Sequence, residues 1–127
     1  MKMSVDEITV DEAKSLVERL GPHIDSRYDF NYPPVFPKTR QDICAVRRMT
    51  EDGSSYGYDT IYLITKSEGS IFWSKLIDTS ATKDYCNIDS VVEKDDSIIV
   101  NVSSGGSYSG KPWSKSFSRK KSEIGLK

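Results

Sequence analysis

Tyr58-Asp59-Thr60-Ile61-Tyr62-Leu63-Ile64-Thr65-Lys66-Ser67-Glu68-Gly69-Ser70-Ile71-Phe72-Trp73-Ser74-Lys75-Leu76-Ile77 decides the fold. β-Branched and aromatic residues crowd both ends of this stretch, and Ser67-Glu68-Gly69 is a short turn between them. The pattern predicts two strands, Tyr58–Lys66 and Ser70–Ile77, joined as a hairpin. Both are apolar at odd and even positions, so both faces of each are expected to be covered. In the second strand, Ile71, Trp73 and Ile77 are expected on one face, and Phe72 and Leu76 on the other.

Outward from this hairpin the two-residue period continues. Ile43–Thr50 reads as the preceding strand, with a turn at Glu51-Asp52-Gly53-Ser54-Ser55. A polar loop over 78–84 leads to a strand at Tyr85–Glu93, and Lys94-Asp95-Asp96 turns the chain into Ser97–Ser103. There Ile98, Val100 and Val102 share one face. Short strands with tight turns predict an antiparallel meander. The segment up to 118 is a candidate for one more, edge strand.

The first element upstream is a helix over about residues 9–20. Thr9 lies three residues before Glu12, the spacing of a capping box. Ala13, Leu16, Val17 and Leu20 then form one apolar stripe. Gly21 and Pro22 end it. Residues 22–42 hold four prolines interleaved with Tyr28, Phe30, Tyr32 and Phe36, which predicts an ordered loop laid onto the body rather than a strand. The whole is an α+β chain: an N-terminal helix packed on a curved, roll-like antiparallel meander of five to six strands. One domain is expected over 1–118, and 119–127 as a flexible basic tail.

Charge is unevenly spread along the 127 residues, whose net charge is −1. Residues 1–104 carry 18 acidic and 12 basic side chains, a balance of −6; residues 105–127 carry one and six, a balance of +5. Tyr108, Trp113 and Phe117 lie among those bases. Aromatic rings among phosphate-neutralising cations suit nucleic acid, so Tyr108, Lys111, Trp113, Lys115, Arg119, Lys120 and Lys121 are candidate contacts. The other reading is a strand whose Trp and Phe complete the core.

Other chemistry has weaker support. Gly105 to Lys111 matches most of a phosphate-binding loop, but Pro112 stands where Ser or Thr would hold magnesium, and no helical stripe follows. His23 is the only histidine, and no nucleophile motif accompanies it. The carboxylate pairs Asp11/Glu12, Glu51/Asp52 and Asp95/Asp96 sit in a helix start and two turns, where acids are ordinary. Cys44 and Cys86 alternate with apolar residues and read as buried thiols. Two cysteines and one histidine are too few for structural zinc, and no cofactor is expected. The acidic start lacks a signal-peptide core, and no apolar run reaches membrane length. A cytoplasmic protein with reduced thiols and no membrane partner is expected.

The leading functional expectation is a non-enzymatic module that binds another protein, or a second copy of itself as a homodimer. Tyr56, Tyr58 and Tyr62 alternate on one strand face and, with Tyr32 and Phe36 of the loop, are the candidate interface. Nucleic-acid binding through the C-terminal segment is the alternative. A small-ligand carrier or enzyme with a pocket between sheet and helix is the third reading.

Overall fold

A computed structural model describes residues 6–20, 33–51, 57–81, 84–105 and 111–126. The α+β class holds, but the strands form two sheets instead of one meander. Helix α1 spans Val10–Arg19, and the strands are β1 Ile43–Glu51, β2 Gly57–Ser67, β3 Ser70–Asp78, β4 Asn87–Lys94, β5 Ser97–Ser104 and β6 Trp113–Lys120. The first sheet has order β1-β2-β3 and the second β4-β5-β6, every neighbour antiparallel.

The split follows from where apolar residues point. Ile43 and Ala45 of β1, and Ile61 and Leu63 of β2, meet Val91, Ile98, Val100 and Val102 of the second sheet in one buried cluster. Cys44, Val46, Tyr62 and Ile64 point the other way and meet Ile8, Ala13 and Leu16 in a second cluster. The first sheet is therefore the middle layer, with α1 on one face and the second sheet on the other. That is why β1 and β2 carry apolar side chains at both parities. Cys44 and Cys86 are both free and belong to different clusters, on opposite faces of the first sheet.

Local signals place α1 as read. The Thr9 hydroxyl accepts from the Glu12 N–H at 3.0 Å, and the Thr9 N–H donates to Glu12 Oε1 at 3.1 Å. Glu12 also pairs with Lys66 Nζ of β2 at 2.9 Å, fastening the helix start to the sheet. This lysine, with the Thr9 backbone N–H, holds the Glu12 carboxyl below its ordinary pKa.

Two hairpin turns use residues with positive φ, Glu68 (52°) and Gly69 (81°) in one and Asp95 (54°) in the other. Positive φ at both central residues lets a two-residue turn follow the strand twist between Ser67 and Ser70.

Three expectations change. In β3, the register against β2 jumps from Lys75↔Tyr62 to Ile77↔Ile61. This bulge breaks the two-residue period, so Leu76 and Ile77 both join the inter-sheet cluster. Second, the 22–42 segment includes one bridge: Val35 and Ala45 exchange backbone bonds of 2.9 Å on the outer edge of β1. Phe36 is partly buried against the helix-side cluster.

Third, the basic C-terminus is not a loose tail through 126. Arg119 and Lys120 complete β6, Lys121–Ile124 form a 3-10 turn, and Leu126 is 7% exposed in the inter-sheet core. The Thr65 hydroxyl donates to the Ile124 carbonyl at 2.9 Å. Gly125 (φ 77°) supplies the left-handed turn that aims Leu126 inward.

Candidate protein-binding edge

β3 is an edge strand, paired only with β2 among the described residues. A two-residue turn makes Ser67 and Ser70 a hydrogen-bonded pair, and bonding alternates from there. Ser70, Phe72 and Ser74 thus bond to β2, while the amides and carbonyls of Ile71, Trp73 and Lys75 face outward. The same strand carries two large exposed aromatics, Phe72 at 53% and Trp73 at 50%.

The two rings sit on opposite faces. Trp73 pairs with Ile64 on the helix side and meets Tyr62 edge to face, with centroids 5.6 Å apart. This contact orients the indole. Phe72 pairs with Thr65 on the side of the second sheet. There the C-terminal 3-10 turn stands off from the strands and leaves an open groove of about 290 Å³. Leu63, Thr65, Phe72, Trp73, Ser74, Ile124 and Gly125 line it, and Glu123 is its only charged lining residue among the described residues.

The opposite side of the molecule is closed by charge. Arg47 of β1 meets Asp59 of β2 at 2.9 Å, with side chains 9% and 0% exposed. The same Asp59 Oδ2 accepts the Cys86 N–H at 2.7 Å, just before β4. Arg47 also donates to Asn87 Oδ1 at 3.2 Å. Burial pushes the Asp59 carboxyl above its ordinary pKa, against the opposing pull of Arg47 and the Cys86 N–H. Asp59 Oδ1 has no hydrogen-bond partner among the described residues. Thr79 bridges this junction to Asp84, whose carboxylate accepts the Trp113 indole N–H at 3.2 Å. The set links both sheets, so it acts as a staple at the crossover from β3 to β4.

Among the described residues the candidates for catalysis do not assemble. Cys44 and Cys86 are buried, which pushes both thiols up to about 12 and leaves them protonated at neutral pH. Asp11 lies in the helix first turn, Glu12 is spent on its cap and on Lys66, and Asp95 and Asp96 form a hairpin turn. His23 and Asp52 lie outside the described residues, as does the Glu51 side chain. Among the described residues no group of three or more His, Cys, Asp or Glu could hold a metal. Lys111 and Pro112 lead into a strand, where a phosphate loop would need a helix. Between α1 and the first sheet the space is filled by Ala13, Leu16, Cys44, Val46, Tyr62 and Ile64.

The sequence-derived tyrosine face is largely interior. Tyr62 is 4% exposed, Tyr58 is partly buried, and Tyr56 and Tyr32 lie outside the described residues. Among the described residues the exposed aromatics are Tyr85, just before β4, and the adjacent pair Phe72 and Trp73, one strand further out than the tyrosines. The types of this pair were visible in the sequence; its exposure depends on β3 being the last strand of its sheet, which a single-meander reading conceals.

The C-terminal bases do not form one patch. Trp113, Lys115, Phe117 and Arg119 pair with Ser104, Val102, Val100 and Ile98, the inward positions of β5, while Lys120 pairs with Ser97 on the other face. Trp113 and Phe117 pack on the inter-sheet core, and Lys115 Nζ lies 4.9 Å over the Trp113 ring. Lys121 is bound to Glu93 at 2.6 Å. Lys111 is exposed, and Tyr108 lies outside the described residues. No helix among the described residues is long and apolar enough to cross a membrane. No protein-family model, curated protein or solved structure matches this chain.

Proposed function

We propose that this chain is a non-enzymatic protein-binding module and that its binding element is the free edge of β3. The observation that carries this is the adjacent pair Phe72 and Trp73, both half exposed on an edge strand beside β2, whose residues 59–65 are buried. Exposed large apolar side chains next to one another mark interaction surfaces more often than scattered ones do. Aromatic anchors, Trp above all, dominate interface energetics.

Magnitudes favour a combined mode of binding. Covering the exposed halves of two aromatics removes about 200 Å² of apolar surface from water, a gross gain of about 5 kcal/mol. Association costs about 4 kcal/mol or more before side-chain ordering is counted. The rings alone are then too small a site, and the open backbone groups of Ile71, Trp73 and Lys75 supply the rest. Dispersal of the β6 bases over two faces, with Lys121 already paired, gives nucleic acid less support.

The test is a pull-down from native lysate with the wild-type chain and with a Phe72→Ser/Trp73→Ser double variant of unchanged circular dichroism. A stoichiometric protein held by the wild type and lost by the variant is the expected result. A partner retained equally by the folded variant would move the site away from β3.

A further inference from the structure

We infer that the partner presented to β3 is an extended segment carrying a lysine or arginine, which adds as a fourth strand and seats its cationic side chain against Phe72 and Glu123. This rests on the reading of β3 as the binding edge and specifies its occupant.

The backbone argument comes first. Ile71, Trp73 and Lys75 turn their amides and carbonyls outward with a spacing of two residues, the repeat an added strand needs. Nothing in β3 blocks such pairing: it has no proline, and its single inner bulge lies beyond Lys75. The Lys75 side chain is drawn along its own strand to Asp78 at 3.3 Å. Edge strands that avoid pairing usually carry proline or several charges. β6, the corresponding edge of the second sheet, carries Lys115, Arg119 and Lys120 and fits that defensive pattern.

Charge complementarity selects the side chain. An added strand places alternate side chains on the groove side of the sheet, next to Phe72. Among the described residues the groove is lined by apolar side chains with the small polar Thr65 and Ser74, and its one charge is Glu123, which is exposed at its rim and has no ion-pair partner among those residues. The nearest basic residue in sequence, Lys121, is engaged by Glu93. An aliphatic stem ending in a cation fits this lining: the stem covers Leu63 and Phe72, and the head reaches Glu123. The face of the Phe72 ring adds a cation–π attraction. A wholly apolar side chain would leave Glu123 partly desolvated, and an acidic one would be repelled.

The test uses the full chain as bait for a displayed library of random peptides of about ten residues, the length of a long strand. Selection runs in parallel against a folded Trp73→Asp variant. The expected consensus has Lys or Arg at one position between β-branched or aromatic residues. Replacing that residue by Glu in a synthetic peptide weakens binding about tenfold or more, and Glu123→Lys reverses the preference. Amide shifts on binding fall on Ile71, Trp73 and Lys75. A consensus of acidic or purely apolar residues, or a Lys preference untouched by Glu123→Lys, overturns the cationic anchor and leaves the edge site standing. No enrichment over Trp73→Asp overturns both. A wild-type dimer in light scattering that Trp73→Asp makes monomeric identifies a second copy as the occupant and overturns the basic-segment proposal.

Discussion

The two edges of the first sheet are finished in opposite ways. On the β1 edge, Val35 adds a bridge and Arg40, just before β1, reaches Glu93 of β4 at 3.0 Å, while Arg47 of β1 forms a buried ion pair with Asp59 of the central strand β2. On the β3 edge, no further strand pairs among the described residues, and Phe72 and Trp73 are half exposed. Among those residues the buried polar cross-links gather where the two sheets join. Stability is expected to reside at the first edge and recognition at the second, and substitutions that separate the two quantities probe the contrast directly.

The largest expected effect is at the junction of the two sheets. Asp59→Ala strands the Arg47 guanidinium in the interior and removes the acceptor of the Cys86 N–H. Breaking one side of a buried pair costs about 3 to 5 kcal/mol. Urea unfolding followed by circular dichroism measures it. A loss under 1 kcal/mol would mean that the junction relaxes to admit water and staples nothing.

Next is the C-terminal plug. Leu126→Ala leaves a void under the 3-10 turn and is expected to cost about 2 to 3 kcal/mol, the low end for a leucine at the margin of a core. A frayed terminus would show no change in the same urea experiment. The substitution also tests the groove, because the turn that Leu126 anchors forms one of its walls.

A smaller, pH-dependent effect belongs to Glu93. The Lys121 ammonium, the Thr39 hydroxyl at 2.7 Å and the Arg40 guanidinium hold its carboxyl down to about 2 from its usual 4.5. A carboxyl with a depressed folded pKa binds fewer protons folded than unfolded. Its stabilising contribution is thus fully present above pH 4.5 and fades as the pH falls toward 2. Glu93→Gln should flatten this stretch of the stability–pH curve while lowering stability at neutral pH. An unchanged acid slope would show that the cluster is screened by solvent.

These elements were legible in the sequence to different degrees, for physical reasons. The capping box of α1, the hairpin at Glu68-Gly69 and the inward run Ile98, Val100, Val102 are local patterns, and each lies where it was read. The division into two sheets was not local. Nothing in 78–86 distinguishes a turn within a meander from a crossover between layers, and the decisive contact pairs Asp59 with the Cys86 N–H, 27 positions apart. The bulge at Leu76 was equally hidden, because a single inserted residue leaves the composition of a strand unchanged. Alternation puts Tyr58 and Tyr62 on one face, but it gives a face and not its exposure. A central strand between two layers buries both of its faces, so the exposed aromatics fall on its neighbour. The burial of Leu126, the penultimate residue, is not legible locally because it depends on Gly125 and on the Thr65–Ile124 bond.

The smallest stability effect is expected where the functional effect is largest. Phe72→Ser removes a side chain already 53% exposed, so about half of its burial energy, about 1 kcal/mol, is lost. Trp73→Ser forfeits a similar amount together with the edge-to-face contact to Tyr62. The inner residue Leu63, 1% exposed on the neighbouring strand, should cost about 2 to 5 kcal/mol as Leu63→Ala. If the β3 edge is a recognition surface, the two aromatic variants lose the partner while Leu63→Ala, still folded at low temperature, keeps it. If instead Phe72→Ser and Trp73→Ser destabilise the chain as much as Leu63→Ala does, the rings are packed against something in the folded molecule. The β3 edge would then be a covered face and not an open one, and the asymmetry between the two edges would be one of stability alone.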